Sequence, residues 1–301
     1  MRIFLFLTTL ILILSCSNKN NSNGLNNDSL QTKYIDTLHA KIDILNDKVQ
    51  YIGFIDKFYF SNDYEAYVEL YFIKDKTNAD EYKKLVGLAD SLIYQDDENS
   101  RHKFPDNLSS KYFDLRGLSK LKIYDKSNNF ICNAEFLRVE YLDQNILSPF
   151  IAVYRTEKKI KDDSYYCVSN FNQAFEKENY TISKDTAFTQ KILNKLNDQK
   201  PYFGLENNGT HLHFSDNDTV ISVINSKNFA YIVLTTKTDF RIIYKSPYFE
   251  NIMNLIIIPL PNDKFPRILT RNVKPETDEM WDKLLYYDGT KYKVANRQRN
   301  E

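Results

Sequence analysis

The sequence predicts an α+β fold made mainly of antiparallel β-sheet, with about three helices and a β-rich C-terminal part. Three observations predict it. Runs rich in aromatic and β-branched residues recur along the chain, several alternating polar with apolar as a half-buried strand requires. Short turn signals, not long crossovers, separate most of these runs, which favours antiparallel neighbours. Three other segments carry apolar residues at helical spacing. Hydrophobic residues make up 42% of the 301, enough for a substantial core.

The first helix is expected from about Ser29 to Lys48. Ile35, Leu38, Ile42 and Leu45 form one stripe, and Ser29 is placed to cap it. Strands follow at 49–60 and 65–73. In the second, Ala66, Val68, Leu70 and Phe72 alternate with Glu65, Tyr67, Glu69 and Tyr71. Ser61-Asn62-Asp63 between them is a turn signal, so the pair reads as a hairpin. A capping box follows at Thr77 to Asp80, with Asp in the Glu position. Tyr82, Leu85, Val86, Ala89, Leu92 and Ile93 then share one face of a second helix. The acidic run Asp96-Asp97-Glu98 beyond it reads as solvated loop.

Strand patterns resume at 121–124, 130–142, 150–155 and 165–171. A third helix runs from about Asp185 to Leu196 on Phe188, Ile192, Leu193 and Leu196. Pro201, Gly204 and Gly209, in a chain with only seven glycines, mark a break. It divides an α+β region, 32–198, from a β-rich region, 199–296, unless the two are continuous. Strands are expected after it at 220–224, 230–235, 240–244, 252–260 and 267–270. The chain closes on a hairpin with Asp288-Gly289 as a type I′ tip, which puts Leu285, Tyr287, Tyr292 and Val294 on one face.

The charges exclude one class of partner. Forty Lys and Arg balance forty Asp and Glu. The densest basic run, Arg155, Lys158, Lys159 and Lys161, is interrupted by Glu157 and closed by Asp162-Asp163. A nucleic-acid partner is not expected. Neither a Gly-rich phosphate loop nor a Gly-x-Ser-x-Gly elbow is present, and no cofactor is expected.

One constellation carries candidate chemistry. His211 and His213 are two apart, so on a strand they share a face, and Asp216 follows closely. Two imidazoles and a carboxylate are a plausible zinc set, which makes a metal-dependent hydrolase one alternative reading. The plainer reading is a short strand with polar side chains before a turn. Asp216-Asn217-Asp218 opens like a calcium loop, but Val220 occupies a ligand position and no Gly follows. Cys132 and Cys167 are a candidate disulfide if the compartment is oxidising, or else two buried thiols. The 22 Tyr and 20 Phe, against one Trp, allow a sugar- or lipid-binding module as a further alternative.

The N-terminus is more specific. Arg2 precedes an apolar and threonine run from Ile3 to Leu14, and Ser15 and Cys16 follow. This is the charged, apolar, small-residue order of a secretory signal peptide. Ile13-Leu14-Ser15-Cys16 resembles the lipobox of bacterial lipoproteins. The resemblance implies that 1–15 is a signal peptide and that Cys16 is acylated, anchoring the protein to a membrane of the bacterial envelope. Residues 17–31, rich in Asn and Ser, read as a disordered tether reaching roughly 20 Å. Ser17 stands where an Asp retains enterobacterial lipoproteins at the inner membrane, which favours the outer membrane. The role expected for the body is non-catalytic binding of an envelope or extracellular protein.

Overall fold

The structure, a computed structural model, describes residues 51–56, 62–70, 85, 87, 101–113, 115, 117–142, 150–160, 165–169, 175, 179–200, 209–215, 218–274 and 280–295. The signal peptide, Cys16, the tether, the first expected helix and Asp216 lie outside them. So does most of the second expected helix, of which Leu85 and Gly87 are helical and Leu85 is buried. The fold is strand-rich α+β with antiparallel sheets, as expected.

The first sheet is assembled from β1 (Ile52–Phe54), β2 (Glu65–Glu69), β3 (Arg101–Lys103), β4 (Lys120–Asp125), β5 (Phe130–Leu142), β6 (Phe150–Thr156) and β7 (Tyr165–Val168). Its order is β1-β7-β4-β5-β6-β2, and β3 takes the second half of the β5 edge that β4 leaves free. Among the described residues the ladders of β1 and β2 are those with β7 and β6, and 57–60, part of the expected β1–β2 hairpin, lie outside them. A single antiparallel bridge, Asp56 to Tyr67, joins the two edges. Its two backbone hydrogen bonds, 2.9 and 3.2 Å, close the sheet into a barrel. Small residues make the closure possible. Gly53, Cys167, Ile123 and Cys132 lie side by side across four strands, with Ala66, Ala134 and Ala152 on the same inner wall. Phe136 and Tyr154 fill the remaining space, and Tyr154 satisfies its hydroxyl by donating to Leu118 O at 2.7 Å.

A short helix, α1 (Asp106–Tyr112), was not evident in the sequence. Pro105 occupies its N-cap, and Phe104 and Phe113 on either side bury their rings beside Phe150. With seven residues it is too short to show a periodic stripe.

The remainder is two meanders. β8 (Tyr180–Ser183), β9 (Thr210–Phe214), β10 (Val220–Asn225), β11 (Ala230–Thr235) and β12 (Phe240–Lys245) form the second sheet. Helix α2 (Thr186–Leu196) lies between β8 and β9 in sequence. β13 (Asn251–Ile258), β14 (Arg267–Val273), β15 (Met280–Tyr287) and β16 (Tyr292–Val294) form the third sheet. The strand pairing breaks between β7 and β8. β8 pairs with β9, and α2 packs on β10 and β11, so both belong with the strands that follow.

Side-chain alternation stacks these parts. Leu212, Ile221, Val223 and Ile232 of the second sheet pack on Ile257, Ile268 and Leu285 of the third. The other face of the second sheet, through Ile224, Tyr231 and Val233, receives Ile192 and Leu193 of α2. The other face of the third sheet, through Ile256, Leu269 and Leu284, rests on the barrel wall at Ile52, Phe54, Tyr124 and Tyr166. The order is therefore helix, sheet, sheet, barrel.

α2 forms where expected because both ends are specified. Asp185 Oδ1 accepts from Ala187 N and Phe188 N at 2.9 and 3.0 Å, a cap worth about 1 kcal/mol. Asn197 closes the other end with φ +54°. The C-terminal hairpin corrects the expected turn. Tyr287 pairs with Tyr292, so the loop has four residues, 288–291, instead of a two-residue Asp-Gly tip. Asp288 Oδ1 accepts from Thr290 N and Lys291 N, both at 2.9 Å, and Gly289 takes φ +98°. The register shifts by two, and because the strand period is two the expected face is preserved.

Candidate functional site

β9 places His211 and His213 on its helix-facing side, where the ring of Phe188 lies 4.9 Å from one and 6.2 Å from the other. His211 is fully buried. Its Nδ1 meets Ser222 Oγ at 2.9 Å on the directly opposed residue of β10. Its Nε2 meets Thr189 Oγ1 at 3.0 Å and Asp185 O at 3.2 Å. The Thr189 hydroxyl donates to Asp185 O at 2.9 Å. It therefore accepts from His211, which assigns the ring proton to Nε2 and leaves Nδ1 to accept from Ser222. Burial pushes the basicity of His211 down, favouring this neutral form. His213 Nε2 lies 2.8 Å from Ser183 Oγ on β8.

This arrangement bears on the metal reading through His211 and His213, with Asp216 outside the described residues. Both nitrogens of His211 are already engaged, and a metal would have to displace one set of partners. Among the described residues no group of three His, Cys, Asp or Glu is placed to hold a metal ion. His211 ties the start of α2 to the sheet, a packing role to which the sequence alternation is blind. His102, on β3, is far from His211 and His213 in the fold and half-exposed.

The disulfide reading is corrected. Cys132 and Cys167 are both buried free thiols. Each pairs with Ile123, on opposite sides of β4. Two strand spacings set their Cα atoms roughly 9–10 Å apart, beyond the about 7 Å a disulfide tolerates. Cys167 Sγ donates to Gly53 O at 3.5 Å, and burial pushes both thiols up, away from the reactive thiolate.

Sequence reasoning missed two buried ionic groups on the third sheet. Lys283 Nζ lies 2.7 Å from both Glu250 carboxylate oxygens, inside the sandwich. Arg271 is gripped by Asp282, its cross-strand neighbour, and by Asp56 at the end of β1. Their signal is an ionisable residue at an apolar position of the strand alternation. It becomes readable only once the register is known.

Sequence reasoning also missed a surface feature at the β12–β13 turn. Tyr248 is 62% exposed. Its ring contacts Phe229 at 5.6 Å and Phe249 at 4.4 Å, and Lys245 Nζ sits 3.7 Å from the Phe229 centroid. Phe249 has φ +58°, in the left-handed region that costs a bulky side chain about 1–2 kcal/mol. The turn is braced against that cost. Phe249 N donates to Asn228 O at 2.8 Å, and Ser246 Oγ accepts from Ala230 N at 2.8 Å. The next residue, Glu250, is the one locked to Lys283. The result is a rigid aromatic ledge with a cation beside it.

No family model, no curated protein and no solved structure matches this chain, so its function is argued from these geometries alone.

Proposed function

We propose that this chain is a bacterial envelope lipoprotein, anchored by acyl groups on Cys16, whose body is a non-catalytic binding module for an envelope or extracellular protein. The observation that carries the binding reading is Tyr248, exposed on a strained but fully braced turn beside Phe229, Phe249 and Lys245. Tyrosine offers a large contact area at low entropic cost, and strain held by surrounding hydrogen bonds concentrates at binding sites. His211 favours the same reading, since its nitrogens are engaged by Thr189 of α2 and Ser222 of β10. Anchoring rests on the order Arg2, apolar run, Ser15, Cys16. Among the described residues no helix is long and apolar enough to cross a membrane.

Two experiments test the two halves. Metabolic labelling with a palmitate analogue should mark the wild-type chain and not Cys16→Ala; equal labelling of both refutes the anchor. A photo-crosslinking residue placed at Tyr248, with a second at the exposed Phe130 as control, should give a discrete protein adduct from the first position only. Identical patterns from the two positions, or none from either, refute the binding ledge.

A further inference from the structure

The strongest unexplained feature lies where the barrel meets the third sheet. Arg271 Nε and Nη2 reach the two Asp282 oxygens at 2.9 and 3.1 Å, and its Nη1 reaches Asp56 Oδ1 at 2.6 Å. The Phe54 ring lies 4.8 Å from the guanidinium. The three side chains are only 10%, 9% and 13% exposed for Arg271, Asp56 and Asp282. One cation thus faces two carboxylates away from water. The fourth carboxylate oxygen, Asp56 Oδ2, is buried with no hydrogen-bond partner among the described residues.

Among the described residues nothing balances the surplus charge. On the same face of the third sheet the neighbours are Leu269, Val273, Met280 and Leu284, and Asn254 of β13 stands opposite Arg271. Lys283 points to the other face and is matched by Glu250. On β2, Tyr67 stands opposite Asp56 and donates to Glu65, which itself pairs with Arg138; Glu69 lies two residues further on. From β7 comes only the Cys167 thiol, kept neutral by burial. Among the described residues, Arg271 is the one cation paired with either aspartate.

We propose that the buried Asp56–Arg271–Asp282 cluster carries one exchangeable proton and acts as a pH-responsive clasp between barrel and sandwich, tighter with the proton on than off. A buried charge is stable only when paired, so the proton brings the cluster from net −1 to neutral. Burial pushes Asp282 up and the nearby Asp56 adds to the rise, while Arg271 opposes it. The sign is opposite to that of an ordinary salt-bridged aspartate. The folded chain keeps a proton that the unfolded chain releases above about pH 4, so the clasp strengthens as pH falls towards that value. The clasp spans 215 residues of sequence, so its state bears on how firmly the two halves of the body are joined.

The test compares full-length wild type with Asp56→Asn, which removes the surplus charge but keeps an oxygen for Arg271. Urea denaturation of both is measured at pH 5 and pH 8. Between these values wild type should lose at least tenfold, relative to the variant, in its folding equilibrium constant. A ratio that stays within threefold overturns the proposal. Wild-type chain labelled with ¹³C at aspartate carboxyls gives a reading that does not depend on the variant folding. One carboxyl should titrate well above the ordinary aspartate value near 3.9; all carboxyls at or below the ordinary range overturn it.

Discussion

Gly209→Ala is a small change with a large expected effect. Gly209 enters β9, and an added Cβ would stand 2.2 Å from Thr189 Oγ1, 3.1 Å from its Cγ2 and 3.2 Å from its Cβ. Its φ is outside the left-handed region, so the obstacle is contact and not backbone conformation. Thr189 cannot yield freely, because its hydroxyl donates to Asp185 O and accepts from buried His211. Forcing it aside adds an overpacking cost of about 1–3 kcal/mol. It also leaves a buried imidazole short of a partner, about 1–3 kcal/mol more. The expected total is about 2–6 kcal/mol, a large share of the roughly 5–15 kcal/mol that holds a domain folded. Thr189→Ala removes Oγ1 and Cγ2, the two atoms nearest the new methyl. In that background Gly209→Ala should cost about 1 kcal/mol or less, so the double-mutant cycle shows coupling above about 1 kcal/mol. Urea denaturation followed by circular dichroism reads all four chains. Equal cost in both backgrounds, or no cost in wild type, would refute the Gly209–Thr189–His211 arrangement.

Three further outcomes follow from the same geometry. His211 is held less basic than in the unfolded chain, so its contribution to stability should fade as pH drops below about 6.5; His211→Gln should flatten that part of the curve, and an unchanged slope refutes the assignment. This runs against the clasp, which is why the clasp is read as a difference between variants. Lys283→Ala leaves Glu250 buried and unpaired, at a cost of about 3–5 kcal/mol by urea denaturation; a loss under about 1 kcal/mol would show the pair to be solvated. Cys132 and Cys167 should resist alkylation in the native chain and both react after unfolding without reductant, as mass spectrometry would show; a protected pair after unfolding would mean a disulfide.

What the sequence determined by itself is what a few neighbouring residues decide. The β5, β6 and β10–β14 runs, the cap and apolar face of α2, and the shared face of Leu285, Tyr287, Tyr292 and Val294 were all legible, because periodicity and capping are local. Even the misjudged Asp288 turn kept its faces, since an even register shift preserves them. Tertiary structure decided everything that depends on which strands meet. It gave β1 to β7 and closed the barrel through Asp56 and Tyr67. It set Ile123 between Cys132 and Cys167, and so excluded their bridge. It turned His211 into a helix anchor by supplying Thr189 and Ser222, and tied His213 to Ser183 of β8. It brought Asp56 to Arg271 across 215 residues. These contacts are fixed by long-range register, to which alternation along one strand is indifferent, and each assigns a polar residue its chemistry by choosing its partner.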